Sequence, residues 1–433
     1  MRTERCDVLV IGGGPAGSTA GNLVASAGRR VVVLEKDAFP RFHIGESLLP
    51  HAMNLFDRLG VREAVARIGS VEKYGARFVT GDGSHSNTIY FDRTFDPSPI
   101  MTYQVVRAEF DELLLAECAR RGADVRQRNA AVSAERSDGE WRVRVRAAAV
   151  EHGAGEEEYE VRCSFVIDAS GRETFLAQRE RSKRMAERHR RIAIYAHYSD
   201  VELDPGIDAG NTVIVAVEGG WFWVIPLARG ATSIGLVMDA ARYRASGLAP
   251  ADALERAMRA CPEVARRIGA SRRLSEVYAT SNYSYFTGAA AGDGWVAAGD
   301  AYAFLDPIFS TGVWLAMHGG EKAARLAIEC LDHPERAARI TARHARRVRR
   351  ANARFWRFVD YFYRPEFLDI FMQPSDALEL RAAVASVLAG TPSDSFGLRW
   401  RLALFFSVVR LQRWVPMRPV LPRCQVLPTS AAA

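Results

Sequence analysis

The stretch Cys6–Gly28, CDVLVIGGGPAGSTAGNLVASAG, decides the fold. Val8–Ile11 is a continuous apolar run, the pattern of a strand buried on both faces. It runs into a glycine turn and then a helix. Gly12, Gly14 and Gly17 fit the G-x-G-x-x-G spacing. Gly12 permits the tight turn, Gly14 lets the backbone approach a pyrophosphate at the helix N-terminus, and Gly17 lets helix and strand pack closely. A second strand, RRVVVLEK, ends in Glu35, an acid placed to accept the ribose hydroxyls of an adenosine. Strand, glycines, helix, strand and acid in this order specify a dinucleotide-binding α/β unit without saying which dinucleotide.

The far end of the sequence narrows the choice. GWVAAGDAYAFLDPIFSTGVWLAMHGGEKAA, Gly294–Ala324, reads as a short strand (295–298), Gly299-Asp300, a loop through Asp306, Pro307 and Phe309 to Ser310-Thr311-Gly312, and a helix from about Val313. It resembles the second FAD signature of the class A flavin monooxygenase superfamily, in which the aspartate, here Asp300, holds the ribityl chain. VIDASGRETFLAQR, Val166–Arg179, resembles the third signature of that superfamily through Asp168, Gly171 and Arg172. Arg107, in YQVVRAEFDELLL, matches the arginine near the flavin phosphates. The resemblance implies FAD as cofactor. It assigns to its binding Gly12, Gly14, Pro15, Ala16, Gly17, Glu35, Lys36, Arg41, Ile44, Gly45, Glu46, Ser47, Arg107, Asp168, Gly171, Asp300, Pro307, Gly312 and Val313.

Three further pieces point to what the flavin does. GGWFWVIPL, Gly219–Leu227, alternates Trp221 and Trp223 on one face of a strand and closes on Pro226. Two such tryptophans alone read as ordinary core. The whole W-x-W-x-I-P pattern, however, resembles the signature that separates flavin-dependent halogenases from monooxygenases. There it implies a wall, here Trp221, Trp223, Pro226 and Phe309, that keeps the organic substrate from the flavin peroxide so that halide attacks it instead. Lys73, in VEKYGARF, lies at the family's catalytic lysine. An amine can hydrogen-bond hypohalous acid or form a haloamine, and burial that lowers its pKa suits the second route. Backbone amides at the mouth of the helix after Ser310-Thr311-Gly312 form an anion site. The resemblance implies halide on the amides of Thr311 and Gly312, and a catalytic place for Ser310; the same triplet would also serve as an N-cap.

With FHIGESLLP, Phe42–Pro50, these motifs cover most of residues 1 to about 320 and resemble the halogenases of phenols and pyrroles, including those acting on carrier-bound substrates. Tryptophan halogenases carry a glutamate just before Ser-Thr-Gly; this chain has Phe309 there. The resemblance therefore implies an electron-rich ring, chloride or bromide as co-substrate, and FADH2 from a separate reductase; no second dinucleotide unit is visible, but single-component hydroxylases of the superfamily lack one too, so that absence does not decide how the flavin is reduced. His43 is a candidate general base against an ordinary structural histidine.

The expected architecture is a glutathione-reductase-type, Rossmann-like FAD domain (1–75, 103–190, 280–335), an antiparallel-sheet substrate domain (76–102, 191–279) and a helical C-terminal region (336–433). In that region Phe355, Phe358, Val359 and Phe362, then Phe367, Leu368 and Phe371, repeat at helical spacing. Glu151–Glu160 reads as a polar hairpin loop and Pro428–Ala433 as a disordered tail. The chain carries a formal net charge of +7, and Arg336–Arg364 holds many arginines against one acid, Asp360. That run is either a solvated helix face or a docking surface for an acidic carrier protein or a membrane. No nucleic-acid module is visible. The six cysteines form no Cys-x-x-Cys pair, so no metal site is expected. No apolar run is long enough to span a membrane, Leu402–Val409 being the nearest, and the expected location is cytoplasmic, with peripheral membrane contact as the alternative. Oligomeric state is not legible. Two rival functions remain open: a flavin monooxygenase or prenyl-chain reductase on the same scaffold, and a non-catalytic flavin-binding partner.

Overall fold

The computed structural model describes residues 2–148 and 157–427. Five parallel strands, in the order Trp295–Ala297, Glu157–Asp168, Thr3–Ile11, Val31–Glu35 and Asp124–Gln127, form the spine of the first sheet. Val8 to Val10 are fully buried, as the apolar run predicts. The three FAD signatures end side by side: Ile11 pairs with Asp168, and Asp168 with Ala297. They thus meet at the carboxyl ends of adjacent parallel strands, where ligands of open α/β sheets bind. The helices Pro15–Ser26 and Thr311–Asp332 pack together on one face; a Cβ on Gly320 would stand 2.2 Å from the Ala16 carbonyl oxygen.

The second sheet runs Arg191–Ser199, Ala231–Asp239, Gly220–Pro226, Thr212–Val217, Gly75–Thr80, Ser86–Tyr90. It is antiparallel except where Thr212–Val217 pairs in parallel with Gly75–Thr80. Period-two alternation sorts its two faces. Ile214, Trp221, Trp223 and Val237 join one apolar cluster with the C-terminal aromatic residues, while Val215, Phe222, Val224 and Leu236 face another. The helices Ala337–Phe362, Pro365–Phe371 and Phe396–Gln412 bring Phe358, Phe367, Phe405 and Phe406 into the first of these clusters, so the C-terminal region closes over the tryptophan strand.

Three local readings change. The first strand extends back to Thr3, and the long helix starts at Thr311. Glu157–Glu160, read as loop, is strand, because it pairs antiparallel with Arg144–Ala147; the rest of that loop and the tail from Pro428 lie outside the described residues. Among the described residues no helix is long and apolar enough to cross a membrane, and no group of His, Cys, Asp and Glu is placed to hold a metal.

Candidate active site

The glycine turn is shaped by close contact. Gly12 has φ of +104°, and a Cβ there would stand 2.3 Å from the Ala169 carbonyl oxygen; at Gly17 it would stand 1.8 Å from that of Gly12. Pro15 opens the helix, and no side chain caps its N-terminus, which leaves its first amides for an anion. Glu35 is anchored by the amides of Gly13 (2.7 Å) and Asp37 (2.9 Å). Arg107 is buried and forked onto Asp111 (2.8 and 2.9 Å), and its third nitrogen donates to the Ile44 carbonyl at 2.7 Å. It thereby fixes the Phe42–Ser47 loop at the cavity edge.

These groups face one cavity of about 550 Å³. Gly12, Gly14, Pro15, Ala16, Glu35, Lys36, Arg41, Ile44, Gly45, Glu46, Ser47, Arg107, Gly171, Asp300, Pro307, Ser310, Thr311, Gly312 and Val313 all line it, with His43 at the rim. Gly17 does not, since its place is against the turn. Asp168 does not line it either. Its carboxylate is fully buried and accepts from the Ser170 amide (3.1 Å), the Ser170 hydroxyl (2.6 Å) and the Leu176 amide (2.8 Å), so it folds the loop that presents Gly171.

At the other end, Ser310 sits in the left-handed region (φ +54°) and its side chain makes no cap hydrogen bond to the Thr311–Asp332 helix, so it is no N-cap in the side-chain sense. The turn sends Phe309 into the aromatic core, edge-on to Phe358 and Phe362 at ring distances of 6.1 and 5.7 Å, and off the cavity wall. A Cβ on Gly312 would meet nothing within 4 Å, so its backbone is open to a guest. Trp221, Trp223 and Ile225 form one wall, while Pro226 ends the strand outside the lining. The indoles are pinned: Trp223 donates to the Ser233 hydroxyl at 3.1 Å, and Trp221 to the Tyr363 hydroxyl at 2.9 Å. Tyr363 in turn donates to Asp306 at 2.8 Å. Burial pushes the Asp306 and Asp300 carboxyls up to about 6, against the pull of nearby arginines.

Lys73 stands behind this cavity. It ends the Val71–Lys73 strand, paired with Thr102–Gln104, and is 1 % exposed. Its ammonium donates to the Ser47 hydroxyl at 2.8 Å and to the Leu48 carbonyl at 3.2 Å, with the Phe91 ring 5.4 Å away. No carboxylate pairs with it among the described residues, and burial lowers its pKa to about 7. Sequence reasoning missed Thr212, Gln104, the Glu46–His197 pair (2.6 Å) and the Asp306–Tyr363 bond. Their partners lie tens to hundreds of positions apart, and no local motif marks them.

The donor set fits FAD: a glycine cradle without room for side chains, free helix amides, an anchored acid at the adenosine end and an apolar wall at the other. The comparisons agree. A family model described as an FAD binding domain matches residues 5–355. The chain is 33 % identical over 330 residues to the 1H-pyrrole-2-carbonyl-(peptidyl-carrier protein) brominase of Pseudoalteromonas luteoviolacea, covering 75 % of this chain and 78 % of that one. It is 30 % identical over 409 residues to a flavin-dependent halogenase of Armillaria mellea, covering 90 % and 78 %. The solved structure of the flavin-dependent brominase Bmp2 superposes with a TM-score of 0.83 at 29 % identity, covering 95 % of this chain and 99 % of that one. The chain belongs to the flavin-dependent halogenases of the class A FAD monooxygenase-like superfamily, oxidoreductases that use FAD and halide to halogenate aromatic substrates.

Proposed function

We propose that this halogenase acts on a phenol or pyrrole ring, presented on a carrier protein, and that Lys73 transfers the halogen. The observation that carries this reading is the Lys73 amine: buried, without a counter-ion among the described residues, and one hydroxyl away from the cavity wall. Reduced FAD with oxygen, delivered by a separate flavin reductase, supplies the oxidant that turns chloride or bromide into hypohalous acid. The chain's own residues do the rest. The amides of Thr311 and Gly312 hold halide at the helix mouth beside Ser310. Trp221 and Trp223 fill the side of the cavity where an organic ring would otherwise meet the cofactor. Lys73, whose burial lowers its pKa to about 7, accepts the halogen as the neutral amine and presents it to the ring.

Phe309 supports the substrate class. This position offers no carboxylate to stabilise a cationic ring, and an electron-rich ring gives up its proton with less assistance. Two observations support a carrier. The brominase relative named above acts on a carrier-bound pyrrole. Arg339, Arg343, Arg346, Arg347 and Arg350 are exposed on the Ala337–Phe362 helix. The field there is positive enough that Lys322 and Arg347 reinforce burial in lowering His344 to about 4. An acidic carrier complements such a face.

The test is mass spectrometry of a phenol, a pyrrole and a carrier-bound pyrrole-2-carbonyl group incubated with protein, FAD, a flavin reductase, NADH, oxygen and bromide. Bromination of the carrier-bound ring that is lost in Lys73→Ala supports the reading. Equal bromination in Lys73→Ala, or hydroxylated product without bromide, refutes it.

A further inference from the structure

Lys73 Nζ donates to Ser47 Oγ, and Ser47 Oγ shares a hydrogen bond of 2.9 Å with Thr212 Oγ1 that either hydroxyl can donate. The arrangement in which Ser47 is the donor gives the proton of Ser47 to its one hydrogen-bonded hydroxyl acceptor among the described residues. Thr212 Oγ1 also accepts from Gln104 Nε2 at 2.9 Å. That amide is oriented by its other bond, to the Gly210 carbonyl at 3.0 Å; flipped, it would set two oxygens against each other. With Ser47 as donor, Thr212 has both lone pairs engaged and one proton to give, with no acceptor for it among the described residues. Ser47 and Thr212 line the cavity and Lys73 does not. Lys73, Ser47 and Thr212 thus form a continuous hydrogen-bonded chain from the buried amine to the cavity, and with Ser47 as donor its protons point toward the cavity.

A second observation lies on the other side of the amine. Lys73 is paired with Thr102, so the two side chains share a face of the ribbon, and Gln104 shares it two residues on. Thr102 Oγ1 and Gln104 Oε1 are buried and have no hydrogen-bond partner among the described residues. Orphaned polar atoms in a dry site are unfavourable unless a small polar guest completes them.

We propose that Ser47, Thr102, Gln104 and Thr212 form a holding site for hypohalous acid against Lys73, and that the Ser47–Thr212 hydroxyl pair carries away the proton released when Lys73 takes the halogen. This rests on the reading of Lys73 given above. The lone pair of the neutral amine forms the nitrogen–halogen bond while the oxygen–halogen bond breaks, and its electron pair leaves with oxygen as hydroxide. Nζ passes one proton to Ser47, Ser47 passes its own to Thr212, and Thr212 protonates the hydroxide. Hypohalous acid and amine thus give haloamine and water, with no other reactant. Ser47 and Thr212 move the proton; Lys73 makes the bond.

Two readouts test this with Thr212→Val, Thr212→Ser, Ser47→Ala and Lys73→Ala. In the first, protein without flavin is given one equivalent of hypochlorous acid, and site-resolved mass spectrometry follows N-chlorination of Lys73. Thr212→Val is expected to slow it by about a hundredfold, the usual scale of a lost proton-transfer partner, and Thr212→Ser to restore it. In the second, the complete reaction with bromide is run with a hypobromite trap. Thr212→Val and Ser47→Ala are expected to shift yield from brominated ring to trapped hypobromite, and Thr212→Ser to reverse the shift, which a purely structural role for the hydroxyl would not do. Wild-type behaviour of Thr212→Val and Ser47→Ala in both, with product lost in Lys73→Ala, overturns the relay and leaves Lys73 in place. Product retained in Lys73→Ala overturns both.

Discussion

Replacing Lys73 by methionine keeps an unbranched side chain one atom shorter and removes the amine from a site that is 1 % exposed. Burial lowers that amine from its ordinary 10.5 to about 7. Below pH 7 both folded and unfolded chains carry the proton, and the folded state bears the full cost of a dry charge. From pH 7 to 10.5 the unfolded chain holds a proton that the folded protein lacks, so wild-type stability rises with pH through that window. A displacement of roughly 3.5 pH units at about 1.36 kcal/mol each amounts to roughly 5 kcal/mol, most of it, about 4 kcal/mol, gained between pH 6 and pH 10. Lys73→Met has no such group. The methionine leaves the Ser47 hydroxyl and Leu48 carbonyl without their donor, at about 1–3 kcal/mol each, but that offset does not depend on pH in this range. Urea denaturation of both proteins at pH 6, 7, 8, 9 and 10 measures the difference, in which every other titrating group cancels. The variant is expected to lose about 4 kcal/mol relative to wild type across the series. A difference constant to within about 1 kcal/mol would refute the dry, uncompensated amine on which the account of Lys73 depends.

Gly17→Ala places a Cβ 1.8 Å from the Gly12 carbonyl oxygen and is expected to abolish FAD binding, read from flavin absorbance per protein after gel filtration. Arg107→Ala strands the buried Asp111 and frees the Ile44 carbonyl; a loss of about 3–5 kcal/mol in urea denaturation is expected, and a loss under 1 kcal/mol would show that the pair is not structural. For Asp306, raised from 3.8 to about 6, the folded state holds a proton that the unfolded chain has lost between those values, so stability falls by roughly 3 kcal/mol as pH rises through the window. Asp306→Asn, which keeps the carbonyl that accepts from the Ile308 amide, is expected to remove that dependence in denaturation at pH 4, 5 and 6.

What the sequence reveals here is what sterics and periodicity encode locally. Gly12 and Gly17 are legible because their neighbours leave no room for a Cβ. Trp221 and Trp223 are legible because alternate positions of a strand share a face. The three flavin motifs are legible as one site because each follows a strand, and parallel strands present their carboxyl ends together. Asp168 shows the limit of a motif: it marks the loop correctly, yet its carboxylate is spent on that loop's amides and hydroxyl. Phe309 shows another. Its position beside Ser310 suggests the cavity wall, but the left-handed turn at Ser310 rotates it into the C-terminal aromatic core. Pro226 likewise ends the tryptophan strand without reaching the cavity. The surroundings of Lys73 are illegible, because Thr102, Gln104 and Thr212 reach it through strand register, a tertiary property that no window of sequence contains.

The most direct measurement is the yield of brominated ring per FADH2 consumed by wild type and Lys73→Ala, with a hypobromite trap present and carrier-bound pyrrole-2-carbonyl as substrate. The account predicts brominated ring from wild type, and from Lys73→Ala none, with the oxidising equivalents recovered in the trap. Brominated ring in equal yield from both proteins would contradict it.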